Sequence, residues 1–204
     1  MEIPVQIDAG SVRLEGRLAL PAGATAACVL AHPHPLYGGS MDNNVVVAVA
    51  RELAAIGLAT LRFNFRGVGG STGTHDGGRG EADDLRAAAA FLADAAGTPG
   101  VSIAAYSFGA AVALAIATDE NAAIDRIAAI APPLAMGAVF PPDPKRPILL
   151  LAGDRDTYCP RASIESLAAA HPGKVIVSVI SGADHFFFGR EQEIARAVAA
   201  FLAS

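Results

Sequence analysis

A serine stands where an apolar strand gives way to a helix. The segment Ala105-Tyr106-Ser107-Phe108-Gly109 ends the apolar run 101–106 and opens an alanine-rich stretch. Small residues two positions before and after Ser107 permit the sharp turn that exposes a nucleophilic hydroxyl. The usual pattern has glycine at the first of these positions, where this chain has alanine. Two interpretations remain, a nucleophile and a serine that caps the helix N-terminus.

A nucleophilic serine needs a base to take its proton, and five histidines are available. Ligands of open α/β sheets bind outside the carboxyl ends of the strands. His171 precedes the apolar run 175–180 and therefore lies at the wrong end. His32, His34 and His75 follow strands, but only His185 follows the last one. We expect His185 to be the base, and the alternative is a solvated loop histidine.

The acid that orients the base is expected after another strand. Asp154 and Asp156 both follow the apolar run 148–152, in a loop that starts at Gly153 and reaches Pro160. Asp156 has room to turn back over the sheet edge, whereas Asp154 is placed to hold the turn through its own backbone hydrogen bonds. We therefore predict Asp156 as the acid and a structural role for Asp154.

The elements that must position these residues follow an alternating pattern. Two early segments, about 2–8 and 11–19, alternate as an antiparallel strand pair does. Fully apolar strands then alternate with alanine-rich helices, which predicts a mostly parallel sheet covered on both faces. The expected strands are 27–31, 58–65, 101–106, 127–131, 148–152 and 175–180, and the expected helices are about 42–56, 81–96, 108–118, 161–170 and 189–202. We predict one α/β domain over 1–204, a three-layer α/β/α sandwich without a separate lid domain.

Composition narrows the classes of protein. Apolar residues make up 52% and charged residues 17%, and residues 95–118 carry no charge, long enough to span a bilayer. A turn signal at 97–100 and a change from strand-like to helix-like residues favour a buried strand and helix instead. The N-terminus lacks the basic start of a signal peptide, so we expect a cytoplasmic protein. The net charge of −5, without a basic run, argues against nucleic-acid binding.

The order Ser107, Asp156, His185 resembles the α/β-hydrolase superfamily, whose triad runs nucleophile, acid, histidine along the chain. The resemblance covers nearly the whole chain and includes the acid loop 153–160 and the histidine loop 182–185. The stretches 31–43 and 62–71 look like those of small, lidless bacterial serine hydrolases related to dienelactone hydrolases. Dienelactone hydrolases use a cysteine nucleophile, so their activity is not implied here.

The resemblance implies an oxyanion hole and an esterase activity. One donor would be the backbone N–H of Phe108 and the other that of His34, with Leu36 or Tyr37 as alternatives. The expected enzyme is a serine carboxylesterase that forms an acyl-enzyme on Ser107. A thioesterase, peptidase or acyltransferase on the same triad remains open, as does a non-catalytic binding module. No cofactor is implied, and the oligomeric state, monomer or homodimer, stays open.

The substrate pocket is expected to be open and apolar, because larger relatives insert a lid in the segment that here is only 132–145. An open site favours small or short-chain esters over long triglycerides. Simple packing is the alternative role for each side chain. The candidate lining residues are Leu36, Tyr37, Leu134, Met136, Phe140, Tyr158 and Phe186.

Two further motifs have weaker interpretations. His32 and His34, on alternate residues, can ligate zinc, but no third ligand stands at a fixed spacing and we predict no metal. The glycine-rich segment 67–73 is out of register for a dinucleotide loop and lacks the lysine of a P-loop, so it is expected to line the site mouth.

Several polar and sulfur-containing residues are expected to have structural roles only. These are Arg66, paired with Glu81 or Asp83; Asp42 and Asn43, as helix caps; Cys28, packed in a strand; and Cys159, near the site without a role in it.

Overall fold

Eight strands pair into one sheet in the computed structural model, which describes residues 1–119 and 123–203. Their order across the sheet is β1-β2-β4-β3-β5-β6-β7-β8. The strands are β1 (Ile3–Ala9), β2 (Val12–Ala19), β3 (Ala27–Ala31), β4 (Ala59–Phe63), β5 (Val101–Tyr106), β6 (Ile124–Ile130), β7 (Ile148–Gly153) and β8 (Val175–Ile180).

Strand direction follows the predicted pattern. β1 and β2 form an antiparallel pair in which Ile7 lies opposite Leu14, and β2 joins the sheet antiparallel to β4. The pairs from β4 and β3 through to β7 and β8 are parallel. Every residue of β3, β5 and β7 is buried, as expected for strands covered on both faces. The carboxyl ends of β5, β7 and β8 therefore meet at one edge of the sheet.

Five helices cover the two faces of the sheet within the described ranges. They are α1 (Asn44–Ala55), α2 (Arg79–Ala96), α3 (Phe108–Ala115), α4 (Arg161–Ala170) and α5 (Glu191–Leu202). Helix α1 packs against α5, and α2 packs against α3. Short 3-10 helices occupy Pro35–Tyr37 and Leu134–Met136. The predicted α/β/α architecture with an antiparallel N-terminal pair is confirmed.

The uncharged window 95–118 divides into four parts. It contains the end of α2, all of β5, the Ser107 turn and helix α3, which ends three residues earlier than expected. The expected strand 127–131 begins earlier, at Ile124, while residues 120–122 lie outside the described part of the chain. Among the described helices, none is long and apolar enough to cross a membrane.

The start of α2 corrects one expectation about charge pairing. Arg66 pairs with neither Glu81 nor Asp83 but with Asp84, whose side chain is fully buried and lies 2.7 Å from Nη2 of Arg66. Asp83 faces solvent and pairs with Arg86. Asp84 also accepts the backbone N–H of Arg66, so one carboxylate binds both the main chain and the side chain of the loop after β4. Helical geometry, which sequence spacing alone did not resolve, turns Asp84 inward.

The two expected caps of α1 have different roles. Asn43 is the N-cap, and its side chain accepts the N–H of Val45 at 3.0 Å. Asp42 is not a cap: it pairs with Arg62 of β4, which also binds Glu2. The residue before β1 and the loop before α1 are thus both bound to one arginine of β4.

Candidate active site

Ser107 sits on a strained turn between β5 and α3. Its backbone angles, φ 54° and ψ −113°, are rare for a residue with a side chain. Its hydroxyl makes no capping hydrogen bond in the described structure, although Ser107 occupies the N-cap position. A Cβ on Gly109 would stand 2.7 Å from the carbonyl oxygen of His32, so glycine there lets α3 approach the end of β3. This geometry matches an exposed nucleophile rather than a helix cap.

The imidazole of His185 faces this hydroxyl. Its Nε2 lies 3.0 Å from Oγ of Ser107. The hydroxyl of Tyr106 donates a 2.8 Å hydrogen bond to the carbonyl of His185, which anchors the histidine loop to the strand that carries the serine. The ring of Tyr158 packs 4.7 Å from the imidazole, centroid to centroid. His185 is therefore held on three sides and mostly buried.

Asp156 completes the row. Its Oδ2 lies 2.9 Å from Nδ1 of His185, and its Oδ1 accepts the backbone N–H groups of Tyr158 and Cys159 at 2.8 and 2.9 Å. A carboxylate at Nδ1 favours a proton there and leaves the lone pair of Nε2 for Ser107. The three side chains thus form one continuous hydrogen-bonded row, which is the arrangement that an acid, a base and a nucleophile require.

The other candidate acid, Asp154, binds the histidine loop rather than its own turn. It accepts the N–H of Gly182 at 2.8 Å and lies 3.4 Å from the hydroxyl of Ser181. The two loops approach so closely that a Cβ on Gly153 would stand 2.2 Å from the carbonyl oxygen of Ala183. Asp154 has a structural role, as expected, but it fixes the loop that carries His185 to the loop that carries Asp156.

The loop after β3 separates the three candidates for the second oxyanion donor. The amide of Leu36 donates to Nδ1 of His34, and the amide of Tyr37 donates to the carbonyl of His34. Residue 35 is proline and has no N–H. Within the described ranges, the amides of His34 and Phe108 donate to no backbone carbonyl. Of the three candidates, His34 is thus the one whose N–H is available to a ligand.

His32 has a structural role that the sequence did not reveal. Its Nδ1 lies 2.6 Å from the carbonyl of Pro33, and its Nε2 accepts the N–H of Phe65 at 3.0 Å. Burial lowers the pKa of this imidazole to about 4, so the ring is neutral at pH 7. Both ring nitrogens are used, and the ring joins the loops that follow β3 and β4.

Two predicted pocket residues contact His185, and two more lie on the loop that carries His34. Tyr158 and Phe186 contact the ring of His185, and Tyr37 lies 4.7 Å from the ring of His34, centroid to centroid. Leu36, next to Tyr37, is exposed on the same 3-10 helix. All four of these side chains are exposed at the surface.

The remaining pocket candidates lie on the segment 132–145. Met136 is exposed, whereas Leu134 and Phe140 line a shallow depression of about 530 Å³ against Leu167 of α4. Ala135, next to Leu134, donates to the carbonyl of Tyr158, so Leu134 stays close to the acid loop. Phe140 lies further from the acid loop. Its ring contacts His171, which precedes β8 and lies at the opposite edge of the sheet. That Phe140 lines the substrate pocket therefore stays a prediction, and its side chain shares the depression against α4 with Leu134.

Sequence reasoning missed two aromatic groups at the site. Phe188 is 78% exposed and stacks on Phe186 at 6.1 Å, centroid to centroid. The signal was the run of three phenylalanines from 186 to 188, of which only the middle one is buried. The second is the imidazole of His75, whose ring lies 5.1 Å from that of His34, centroid to centroid, and so borders the loop after β3.

Both cysteines are free and buried. Burial raises the pKa of the Cys159 thiol to about 12, and the nearby charge of Asp156 acts in the same direction. Burial also raises the pKa of Cys28. Neither sulfur is a thiolate at neutral pH, so neither competes with Ser107 as a nucleophile.

Comparison with known proteins gives the family. A family described as the alpha/beta hydrolase domain matches residues 24–198. An uncharacterised protein of Rickettsia prowazekii is 34% identical, and the match covers 93% of this chain and 84% of that protein. The solved structure of a lidless α/β serine hydrolase from Xanthomonas campestris is 30% identical, with a TM-score of 0.84 over 100% of this chain and 96% of that one.

A dienelactone hydrolase from Anabaena variabilis shares the fold, with 24% identity and a TM-score of 0.83 over 100% of this chain and 97% of the other. Residues 132–145 of this chain, all of them described, hold one short 3-10 helix, Leu134–Met136. The chain belongs to the α/β-hydrolase family and is a small, lidless hydrolase whose structural relatives include serine hydrolases.

Proposed function

We propose that the protein hydrolyses small or short-chain carboxylic esters through an acyl-enzyme on Ser107. The observation that carries the proposal is the hydrogen-bonded row Ser107, His185, Asp156, with distances of 3.0 and 2.9 Å. A hydroxyl becomes a competent nucleophile when such a base and acid are aligned with it.

The first half of the reaction forms the acyl-enzyme. Nε2 of His185 takes the hydroxyl proton while Oγ of Ser107 attacks the ester carbonyl carbon. The carbonyl oxygen becomes an oxyanion, which the N–H groups of Phe108 and His34 bind. The C–O bond to the alcohol then breaks, and His185 gives its proton to the departing alkoxide. Asp156 stabilises the imidazolium throughout.

The second half releases the acid. Water gives a proton to His185 and attacks the acyl carbon, again forming an oxyanion in the same hole. Collapse breaks the bond to Oγ, and His185 returns the proton to Ser107. The two N–H donors support both halves, and each such donor is worth roughly 10²–10³ in rate in comparable enzymes.

The exposed aromatic side chains of Tyr37 and Phe186 support a preference for small substrates. Tyr37 and Phe186 are exposed, so they offer apolar contact along part of a ligand without enclosing a long chain. A pocket that buries little of a long acyl chain gains little binding energy from it. We expect p-nitrophenyl acetate and butyrate to be hydrolysed with a higher kcat/KM than p-nitrophenyl palmitate. A preference for palmitate would contradict the substrate size but not the mechanism.

A covalent probe tests the chemistry directly. We expect a fluorophosphonate to label the folded protein on Ser107, and boiling or Ser107→Ala to abolish the label. The same variant should reduce kcat for p-nitrophenyl acetate by roughly 10⁴–10⁶. Ser102→Ala, a substitution in β5 away from the turn, is the matched control and should keep the label. A non-catalytic binding module would show no labelling in the parent protein, and full activity in Ser107→Ala would refute the assignment.

A further inference from the structure

Three phenylalanines follow His185 directly, and the fold buries only the middle one. Phe187 is fully buried and packs against the ring of Tyr106, with 6.1 Å between the centroids. Its φ of 55° lies in the left-handed region, where a residue with a side chain is strained. The strained turn at Phe187 leaves its two neighbours, Phe186 and Phe188, together on the surface.

The exposed rings form one aromatic surface beside His185. Phe186 and Phe188 are stacked, with ring planes 20° apart. Phe186 also meets the imidazole of His185 edge to face, with 5.7 Å between the centroids. The exposed ring of Tyr158 contacts the same imidazole at 4.7 Å by the same measure. We call the rings of Tyr158, Phe186 and Phe188 the aromatic surface.

The backbone that carries these rings belongs to the loops of the triad. The N–H of Phe186 donates to the side chain of Asp184, the residue before His185, at 3.0 Å. The N–H of Tyr158 donates to Oδ1 of Asp156 at 2.8 Å. The aromatic surface is therefore attached to the same two loops that position the base and the acid, although its side chains are exposed.

The side of Ser107 that faces His185 is where the alcohol part of an ester has to leave. In the proposed reaction the N–H groups of Phe108 and His34 bind the carbonyl oxygen, and Nε2 of His185 protonates the departing alkoxide. For that transfer the alkoxide oxygen must come within roughly 2.6–3.2 Å of Nε2. The carbon atoms bonded to this oxygen then lie next to the imidazole, within reach of the rings that contact it.

We propose that the aromatic surface binds the alcohol part of the substrate and gives the protein a preference for esters whose alcohol carries an aromatic ring. Phe186 is the residue that determines this specificity, because its ring contacts both His185 and Phe188. The inference rests on the proposed esterase function and assigns one half of the substrate to a place in the site. Aromatic rings gain more from packing on each other than the buried area alone provides, whereas a saturated ring gains only the area.

Two acetate esters with the same number of carbon atoms test the preference. Benzyl acetate and cyclohexylmethyl acetate form the same acetyl-enzyme on Ser107 and release alcohols of similar acidity, so they differ in the aromaticity of the leaving group. Because kcat/KM covers binding and acylation only, the shared deacylation step does not affect the comparison. We expect the parent to hydrolyse benzyl acetate with a kcat/KM about three- to tenfold higher, measured as acid release at constant pH.

Substitutions locate the preference on the aromatic surface. Phe186→Leu should lower kcat/KM for benzyl acetate about three- to tenfold and change that for cyclohexylmethyl acetate less than about twofold. Phe188→Leu should reduce the preference by a smaller factor, because that ring stacks on Phe186. Tyr37→Leu, on the loop that carries His34, should keep the ratio of the two values. Phe91→Leu, near the C-terminal end of α2 at the opposite edge of the sheet, is the matched control and should keep both values.

Other results would overturn the inference in distinguishable ways. A parent that a fluorophosphonate labels, but that does not hydrolyse benzyl acetate faster than the cyclohexylmethyl ester, would refute the aromatic preference and leave the esterase proposal intact. A loss by one common factor for both esters in Phe186→Leu would show that the ring supports His185 rather than the substrate, and would also refute the proposal. A parent that neither hydrolyses an ester nor reacts with a fluorophosphonate would refute the proposed function, and this inference with it.

Discussion

Asp156 contacts His185 through one carboxylate oxygen only. Oδ2 lies 2.9 Å from Nδ1 of the imidazole, while Oδ1 accepts two backbone N–H groups of its own loop. The main chain thus fixes the carboxylate of Asp156, and that carboxylate in turn orients the imidazole of His185. One oxygen of Asp156 therefore contacts His185, and the other stabilises the loop between Gly153 and Pro160.

Replacing Asp156 by asparagine separates these two functions. The amide oxygen of Asp156→Asn can still accept the loop N–H groups, but its NH₂ would face Nδ1 and force the histidine proton onto Nε2. We expect kcat for p-nitrophenyl acetate to fall about 10⁴-fold with little change in thermal stability. Asp154→Asn, which changes the neighbouring carboxylate, is the control and should retain most of the activity. Comparable losses in both variants would contradict the assignment of the acid.

The buried Arg66–Asp84 pair predicts a stability difference between two adjacent acids. Asp84→Ala leaves an arginine and its N–H without their partner, and removing one member of a buried pair costs roughly 3–5 kcal/mol. Asp83→Ala removes only an exposed contact with Arg86, worth about 0.5 kcal/mol or less. Urea unfolding of the two variants measures the difference. Equal stabilities would show that the Arg66 loop does not depend on Asp84.

The two small residues around Ser107 are not equivalent. A Cβ at Gly109 would stand within 3 Å of the carbonyl groups of Ala31 and His32, so Gly109→Ala should displace the turn and lower both stability and activity. Ala105→Gly removes one buried methyl group and loosens a strand, at a cost of about 1 kcal/mol, and should leave activity intact. Thermal unfolding and p-nitrophenyl acetate hydrolysis report on both. Activity in Gly109→Ala at the parent level would show that the approach of α3 to β3 is not required.

The neutral His32 predicts a pH dependence of stability. Its pKa is about 4 in the folded protein and 6.5 in an ordinary environment, so between these values the unfolded chain takes up a proton that the folded chain does not. The free energy of unfolding should therefore fall as the pH falls through this window, by roughly 3 kcal/mol at pH 4. Urea titrations from pH 7 to pH 4 measure it. His32→Gln, although less stable, should lose this part of the slope; an unchanged slope would assign it to other groups.

The sequence was sufficient for the features that depend on local pattern. Apolar runs located the buried strands, and the residues that follow β5, β7 and β8 are those that the structure brings together. Parallel strands explain this success, since their carboxyl ends meet at one edge whatever the loops do. The N-cap role of Asn43 was predicted for the same reason, because a cap depends only on its own helix.

Partners across loops could not be predicted in this way. Arg66 pairs with Asp84 rather than Asp83 because α2 turns the side chain of Asp84 toward it. Asp42 pairs with Arg62, which lies in strand β4. The Glu81–His75 pair, with Oε1 and Nδ1 2.7 Å apart, left one signal: a glutamate three residues after the N-cap Gly78 is the glutamate half of a capping box, and Glu81 does accept the N–H of Gly78. That pattern locates the carboxylate at the helix start, but the histidine beside it depends on how the glycine-rich loop folds back.

The position of β8 determines where local unfolding of the protein should begin on heating. β8 is an outer strand of the sheet, bonded to β7 on one side, and the loop that follows it carries His185. Ser107, in contrast, follows the central strand β5, whose both edges are paired. Outer elements open locally at a lower free energy than the core. On heating, the loop that carries His185 should therefore detach first and reversibly, while the Ser107 turn and most of the sheet remain folded.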